Sequence, residues 1–363
     1  MPTDLRMQKL AKLLVNYSVF VKPNENVIIS GSTEAEPLLL ALYKEVILAG
    51  AHPVLKISLR GASPFFYKYA KGHQINKYPD ILEDMIKKCH KYISVASESN
   101  TRELTTCNPR KIAARAKVTR KITDLICNNK PKMHRVTTSY PTEALAQEAE
   151  MSLVEYENFF YNACLQDWKK LGKQIDKIKS KFKENSLVHL IGNGIDLKMR
   201  VYGNFAKADK GEENMPGGEI FMAPVKESIE GTIKFDFPAI RDGKEVTDIE
   251  LTFEKGKVVK ASASKNEDFL KEMLAIDENA SYIGELGIGC NPKINKFTKD
   301  LLFDEKINGT IHLALGSAYK ENVPEKEYPS RQSSIHWDIV KDMKNGKIIV
   351  DGKVIQENGK WKI

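Results

Sequence analysis

An α/β N-terminal domain with a parallel sheet and crossover helices, followed by an α+β domain rich in antiparallel strands, is the fold class that three observations predict. The first half of the sequence alternates helical apolar spacing with short β-rich apolar runs, the pattern of parallel strands joined by helices. After about Asn185 the texture changes to period-two alternation interrupted by glycine-containing turns. At 363 residues the chain also exceeds one ordinary core, so two domains are expected, 1–185 and 186–363.

The elements follow in order. A helix over Asp4–Tyr17 leads to a strand at Asn26–Ser30, a helix at Thr33–Leu48 that stops at Gly50, and a strand at Pro53–Ser58. A helix around Asp80–Cys89 precedes the strand Tyr92–Ala96, and a helix over Pro109–Cys127 precedes the strand Arg135–Ser139. The loop Ser30-Gly31-Ser32-Thr33 lacks the glycine spacing and lysine of a phosphate-binding loop, so Ser32 or Thr33 is read as a helix cap. A long helical region, about Leu153–Lys183, closes this half. Its residues Trp168, Leu171, Ile175, Ile178 and Phe182 form one apolar face with lysines on the other. In the second half, Gly231–Phe237, Asp248–Phe253 and Lys257–Ser262 alternate as strands, with turns at Asp242-Gly243 and Glu254-Lys255-Gly256. Gly192-Asn193-Gly194 reads as a turn, and Asp351-Gly352 is a hairpin signal between Lys347–Val350 and Lys353–Ile355.

Composition narrows the function classes. No run of 18 apolar residues exists, so no transmembrane helix or membrane partner is expected, and the N-terminus lacks the charged-then-apolar order of a signal peptide. Five scattered cysteines without a Cys-x-x-Cys pair suit a reducing cytoplasm and argue against a zinc knuckle. The net charge of +8 resides partly in Pro109–Lys121 and Lys169–Lys183, but both stretches have helical apolar spacing and no interleaved aromatics. They read as solvated helix faces, and no nucleic-acid partner is expected.

The chemistry lies in the second half. His312 sits in Ile311-His312-Leu313-Ala314-Leu315-Gly316, on the strand face opposite Ile311, Leu313 and Leu315. His336 and Asp338 are two apart in Ile335-His336-Trp337-Asp338 and point the same way if the run is extended. Glu219 and Glu285 are flanked by glycines, in Pro216-Gly217-Gly218-Glu219 and Gly284-Glu285-Leu286-Gly287. Two imidazoles and three carboxylates in apolar, small-residue settings are what a buried site for zinc-like metals requires. The other five histidines (His52, His73, His90, His134, His189) lack ligand-like spacing and are read as structural, and Cys290 as an inert small core residue.

Taken in order, the segments 214–224, 283–292, 311–319 and 334–338 resemble the aminopeptidase T family of metallopeptidases, which includes aminopeptidase S. The specific motifs cover the C-terminal half. Gly217 and Cys290 stand where that family more often has threonine, and neither is a proposed ligand. The resemblance implies Glu219, Glu285, His312, His336 and Asp338 as metal ligands and Tyr319 as a catalytic neighbour. It further implies a homodimer that acts on peptides with a free N-terminus. The expected cofactor is a pair of divalent ions (zinc, cobalt or manganese), with Glu285 as bridging ligand because small residues around it leave room, and with an activated water as nucleophile. An alternative uses only His312, His336 and Asp338, as the facial triad of a mononuclear iron ring-cleaving dioxygenase related to the same family. Glu219 and Glu285 favour the two-metal reading, since the oxygenase has no need of them.

Overall fold

In the computed structural model, which describes residues 4–127, 133–241 and 243–363, the chain forms two compact units. The first comprises Met1–Gln166 and Gly211–Gly217, the second Asp167–Lys210 and Gly218–Ile363.

The first unit is built on a five-stranded parallel sheet in the order His52–Ser58, Asn26–Ser32, Lys91–Ala96, His134–Ser139, Asn214–Met215. Val27, Ile28 and Ile29 are fully buried, as a strand covered on both faces demands. Asp4 caps the first helix, Leu5–Leu13, by accepting from the Arg6 backbone N–H. Ser32 is the cap at the next turn: its hydroxyl accepts from the Glu34 N–H ahead of the helix Glu36–Leu48. The helix Pro109–Cys127 forms as its spacing predicts. Three short helices, Ala62–Tyr69, Gly72–Ile75 and Glu143–Glu148, were not legible from periodicity.

The long helical region is two helices, Leu153–Cys164 and Trp168–Lys179. Leu165 leaves the helical conformation, and Asp167 accepts from the Lys170 N–H to start the second helix. The units divide at the same point, Gln166/Asp167, earlier than the boundary near 185 expected from the change of texture. The apolar stripe explains the difference. Trp168, Leu171, Ile175, Ile178 and Phe182 are all buried, and they count with the second unit.

The second unit holds an eight-stranded antiparallel sheet, in the order Lys257–Ser262, Glu250–Glu254, Glu230–Lys234, Ile195–Tyr202, Glu184–Gly192, Gly346–Val350, Lys353–Glu357, Lys360–Trp361. The hairpin of Gly346–Val350 and Lys353–Glu357 turns at Asp351 and Gly352, both at positive φ (49° and 79°), as a two-residue hairpin turn requires. The strands Ala239–Arg241 and Lys244–Val246 pair around the expected Asp242-Gly243 turn, of which Asp242 lies outside the described residues. A second, five-stranded antiparallel sheet runs His336–Asp342, Thr310–Gly316, Ile283–Gly289, Glu219–Met222, Lys207–Asp209. The strands 283–289 and 310–316 are buried at every residue. Among the described residues no helix is long and apolar enough to cross a membrane, and none of the five cysteines is in a disulfide.

Candidate metal centre

Residues directly opposite in an antiparallel pair share a sheet face, and so do alternate residues along each strand. The register of the five-stranded sheet applies that rule to each of the five proposed ligands. Glu219 lies opposite Gly289, Gly287 opposite His312, Glu285 opposite Ala314, Ala314 opposite Asp338, and Gly316 opposite His336. All five proposed ligands therefore project from one face, and the positions between them are Gly287, Gly289, Ala314 and Gly316. The small residues clear the volume into which the polar side chains converge.

Gly287 makes this concrete. A Cβ built there would lie 1.9 Å from both Cε1 and Nε2 of His312, so the imidazole occupies the space that any side chain would need. The register also shifts between Ile283 and Glu285, a bulge that re-aims Glu285. Gly284, at the bulge, lets the Ser317 carbonyl approach to 2.1 Å of where a Cβ would be.

The donor atoms are close together. His312 Nε2 is 3.2 Å from Glu285 Oε1 and 3.7 Å from Glu219 Oε2. His336 Nε2 is 3.4 Å from Asp338 Oδ2, while its Nδ1 lies 2.8 Å from the Ser317 carbonyl oxygen. A carbonyl only accepts, so Nδ1 carries the proton and Nε2 is turned to the centre. Two groups among the described residues bring three ligand atoms within 4.8 Å of one another: Glu285, His336 and Asp338, and Glu305, His312 and Asp338. Asp338 belongs to both. Tyr319 follows the strand 310–316, with its ring centroid 4.8 Å from that of His336 and 6.0 Å from that of Phe221.

Glu305 and Lys306 were not anticipated. They follow the short helix Leu301–Asp304, and Lys306 Nζ is 3.1 Å from Glu219 Oε1 and 3.1 Å from Glu305 Oε2. Asp209, opposite Glu219 in the sheet, adds another buried carboxylate. In sequence, Asp304-Glu305-Lys306 is a charged triplet between Phe303 and Ile307, and three charges in a row read as a solvated turn rather than as interior.

The burial of so many charges shapes their titration. Burial opposes a charged His312, but the hydrogen bond with Glu285 and the charges of Glu305, Glu219 and Asp338 outweigh it and raise its pKa to about 9. At His336 burial is likewise outweighed, chiefly by Asp338, and the pKa rises to about 10. Asp338 is itself desolvated, yet His336 holds it down at about 2. Burial dominates at Glu285 and raises its pKa, and it pushes Glu305 up to about 8 despite Lys306. Lys306 is raised too, because Glu219, Glu305 and Asp209 overcome its desolvation. Cys290 is buried and its thiol pKa is raised, in keeping with an inert core residue.

The donor set fits a divalent cation on its own chemistry. Glu285 Oε2, Asp338 Oδ1 and His312 Nδ1 are buried and lack hydrogen-bond partners, and a carboxylate oxygen left this way is expensive without a cation. Four carboxylates (Glu219, Glu285, Glu305, Asp338) converge here with a single lysine among the described residues, so once the imidazoles are neutral and the carboxyls ionised, as ligation requires, acidic charge is in excess.

Fold and donor set together fit a metal-dependent enzyme, with the candidate centre on one buried sheet face. The family model for the thermophilic metalloproteases (M29) matches residues 3–361, and the chain belongs to that family. Aminopeptidase AmpS of Bacillus subtilis (strain 168) is 26% identical to it, with 98% of each chain covered. Aminopeptidase T of Thermus aquaticus is 30% identical over 48% of this chain and 49% of its own length. Wild-type AmpT from Thermus thermophilus shares the fold, with a TM-score of 0.82 at 21% identity and 99% of both chains covered. The fold also resembles that of 2,5-dihydroxypyridine dioxygenase from Pseudomonas putida KT2440, with a TM-score of 0.61 at 14% identity over 98% of this chain and 96% of that one.

Two outcomes are expected. Gly287→Ala should expel the His312 imidazole and reduce bound metal, whereas Gly72→Ala, whose Cβ meets nothing within 4 Å, should leave metal content unchanged. Elemental analysis of both variants decides; a Gly287→Ala protein with full metal would refute the packing argument. The second outcome follows from the imidazoles. Their pKa values of about 9 and about 10 mean that both are protonated at pH 7 in the metal-free protein, whereas a ligating imidazole is neutral. Metal uptake at pH 7 should therefore release at least two protons, with a further one where Glu305, at about 8, is also a ligand, and affinity should climb with pH up to about 10. Calorimetry in buffers of different ionisation enthalpy counts the protons, and none released would contradict the electrostatics described.

Proposed function

We propose that this chain is a metallo-aminopeptidase that releases N-terminal amino acids from peptides, using two divalent ions of zinc, cobalt or manganese type. Glu219, Glu285, His312, His336 and Asp338 would hold them. One observation carries the reading: five donors from four adjacent strands converge on a single buried face with carboxylate oxygens left unpartnered. The names of the relatives, aminopeptidase AmpS and aminopeptidase T, support the exopeptidase activity.

When bound, the two ions supply Lewis acidity, lowering the pKa of a bound water towards about 7, polarising the scissile carbonyl and accepting a free α-amine as ligand. The protein's own groups set the geometry. Glu285 lies between the two imidazole neighbourhoods, with Oε1 beside His312 and its carboxylate grouped with His336 and Asp338, which suits a bridging role. The Ser317 carbonyl fixes the tautomer and orientation of His336. Tyr319 is 47% exposed and stands against His336, placed to meet substrate. Although the residue as a whole is half-exposed, desolvation around the hydroxyl first, and the carboxylates of Glu285 and Asp338 second, raise its pKa, so its hydroxyl stays protonated and can donate to a developing oxyanion. The same reading takes in a cytoplasmic homodimer, as the resemblance of the motifs implies. An iron dioxygenase using His312, His336 and Asp338 alone would leave Glu219 and Glu285 without a role.

The test is metal analysis coupled with hydrolysis of leucine and arginine chromogenic amides. Activity should disappear on exhaustive chelation, return with Zn²⁺, Co²⁺ or Mn²⁺, and be lost when the substrate's α-amine is acetylated. Full activity after chelation, equal rates on acetylated substrate, or a single bound iron would overturn the reading. Tyr319→Phe should keep its metal and lower kcat by roughly 10²–10³-fold, the range for loss of one oxyanion donor. A Tyr319→Phe enzyme with wild-type kcat would remove the tyrosine from the mechanism.

A further inference from the structure

We propose that Lys306 makes the two halves of the metal centre unequal, so that the side formed by Glu285, His336 and Asp338 fills first and the side formed by Glu305, His312 and Asp338 fills second and more weakly. The inference rests on the two-metal reading above and deepens it by adding Glu305 to the five proposed ligands, with Glu219 on the second side, its Oε2 3.7 Å from His312 Nε2.

Lys306 is fully buried, and its ammonium is in contact with one oxygen of Glu219 and one of Glu305, both at 3.1 Å. It is therefore a built-in cation on the Glu305 and His312 side. No lysine or arginine ion pair on Glu285 or Asp338 occurs among the described residues; Glu285 contacts His312, and Asp338 contacts His336.

The ammonium is also held in place. The Lys306 carbonyl accepts from the Asn291 N–H at 3.0 Å, and the Lys306 N–H donates to the Phe303 carbonyl at 2.9 Å. The backbone of 306–307 presses on the sheet at Gly289, where a Cβ would come within 2.0 Å of the Ile307 carbonyl oxygen. A pinned, buried charge cannot swing into solvent when a second cation arrives. Two positive charges must then share Glu305, in a setting where water screens little. The same ammonium has a positive use in the metal-free protein. It neutralises one charge on the Glu219 and Glu305 pair, and it engages only one oxygen of each, leaving Glu219 Oε2 turned to His312 at 3.7 Å.

The experiment titrates chelator-stripped, full-length protein with Zn²⁺ by calorimetry. Wild-type protein should show two classes of site whose affinities differ by about tenfold or more. Lys306→Met keeps the length of the side chain and removes the charge. It should tighten the weaker class by about tenfold and leave the stronger within about threefold. Equal affinities in the wild type, or a weaker class that loosens or stays unchanged in Lys306→Met, would overturn the inference while leaving the two-metal centre intact. A protein that binds no metal would overturn the metal reading itself. If Lys306→Met fails to fold, two variants in the Lys306 background decide instead: His312→Ala should abolish only the weak class, and His336→Ala the strong one. The reverse assignment refutes the role of Lys306.

Discussion

The close approach of the His312 imidazole to Gly287 is the constraint on which the centre depends. A buried sheet face ordinarily fills with aliphatic side chains, and here the middle of that face is stripped to Gly287, Gly289, Ala314 and Gly316. The polar groups of the neighbouring positions fall into the vacated space and are dehydrated there. Dehydrated carboxylates and imidazoles are costly, so they pair with each other and share Lys306. The shifted pKa values are consequences of that crowding. The site is thus made by what the strands omit as much as by what they carry.

Much of this was legible in the sequence because strand periodicity is a simple code. His312 could be assigned to the face opposite Ile311, Leu313 and Leu315, and the register places it there beside Ala314 and Gly316. His336 and Asp338, two apart, do share a face. The α/β then α+β order was readable for the same reason, since apolar runs buried on both faces differ in pattern from alternating ones. The glycines around Glu285 were read as room for metal. The structure shows that Gly287 makes room first for the imidazole that faces it.

What stayed hidden depended on long-range contacts. Glu305 and Lys306 are charged residues in a charged triplet, and only the fold of 300–309 against Gly289 turns them inward. The break between the helices Leu153–Cys164 and Trp168–Lys179 was missed because apolar spacing continues across it, while the deciding signal is one capping carboxylate at Asp167. The division of the chain at that break has the same origin: the stripe beginning at Trp168 is amphipathic wherever it packs, and periodicity does not say against which neighbour.

The membership of Asp338 in both three-donor groups bears on how the protein matures. Asp338 lies on the edge strand His336–Asp342, the last of this sheet to be synthesised, and the sheet order runs backwards along the chain from there to Glu219. A nascent chain that has already laid down Glu219, Glu285 and His312 still lacks a complete group of either kind. Either group is therefore complete only once the final strand has paired with Thr310–Gly316. Metal retention by the proposed centre would thus report that the last strand is in place.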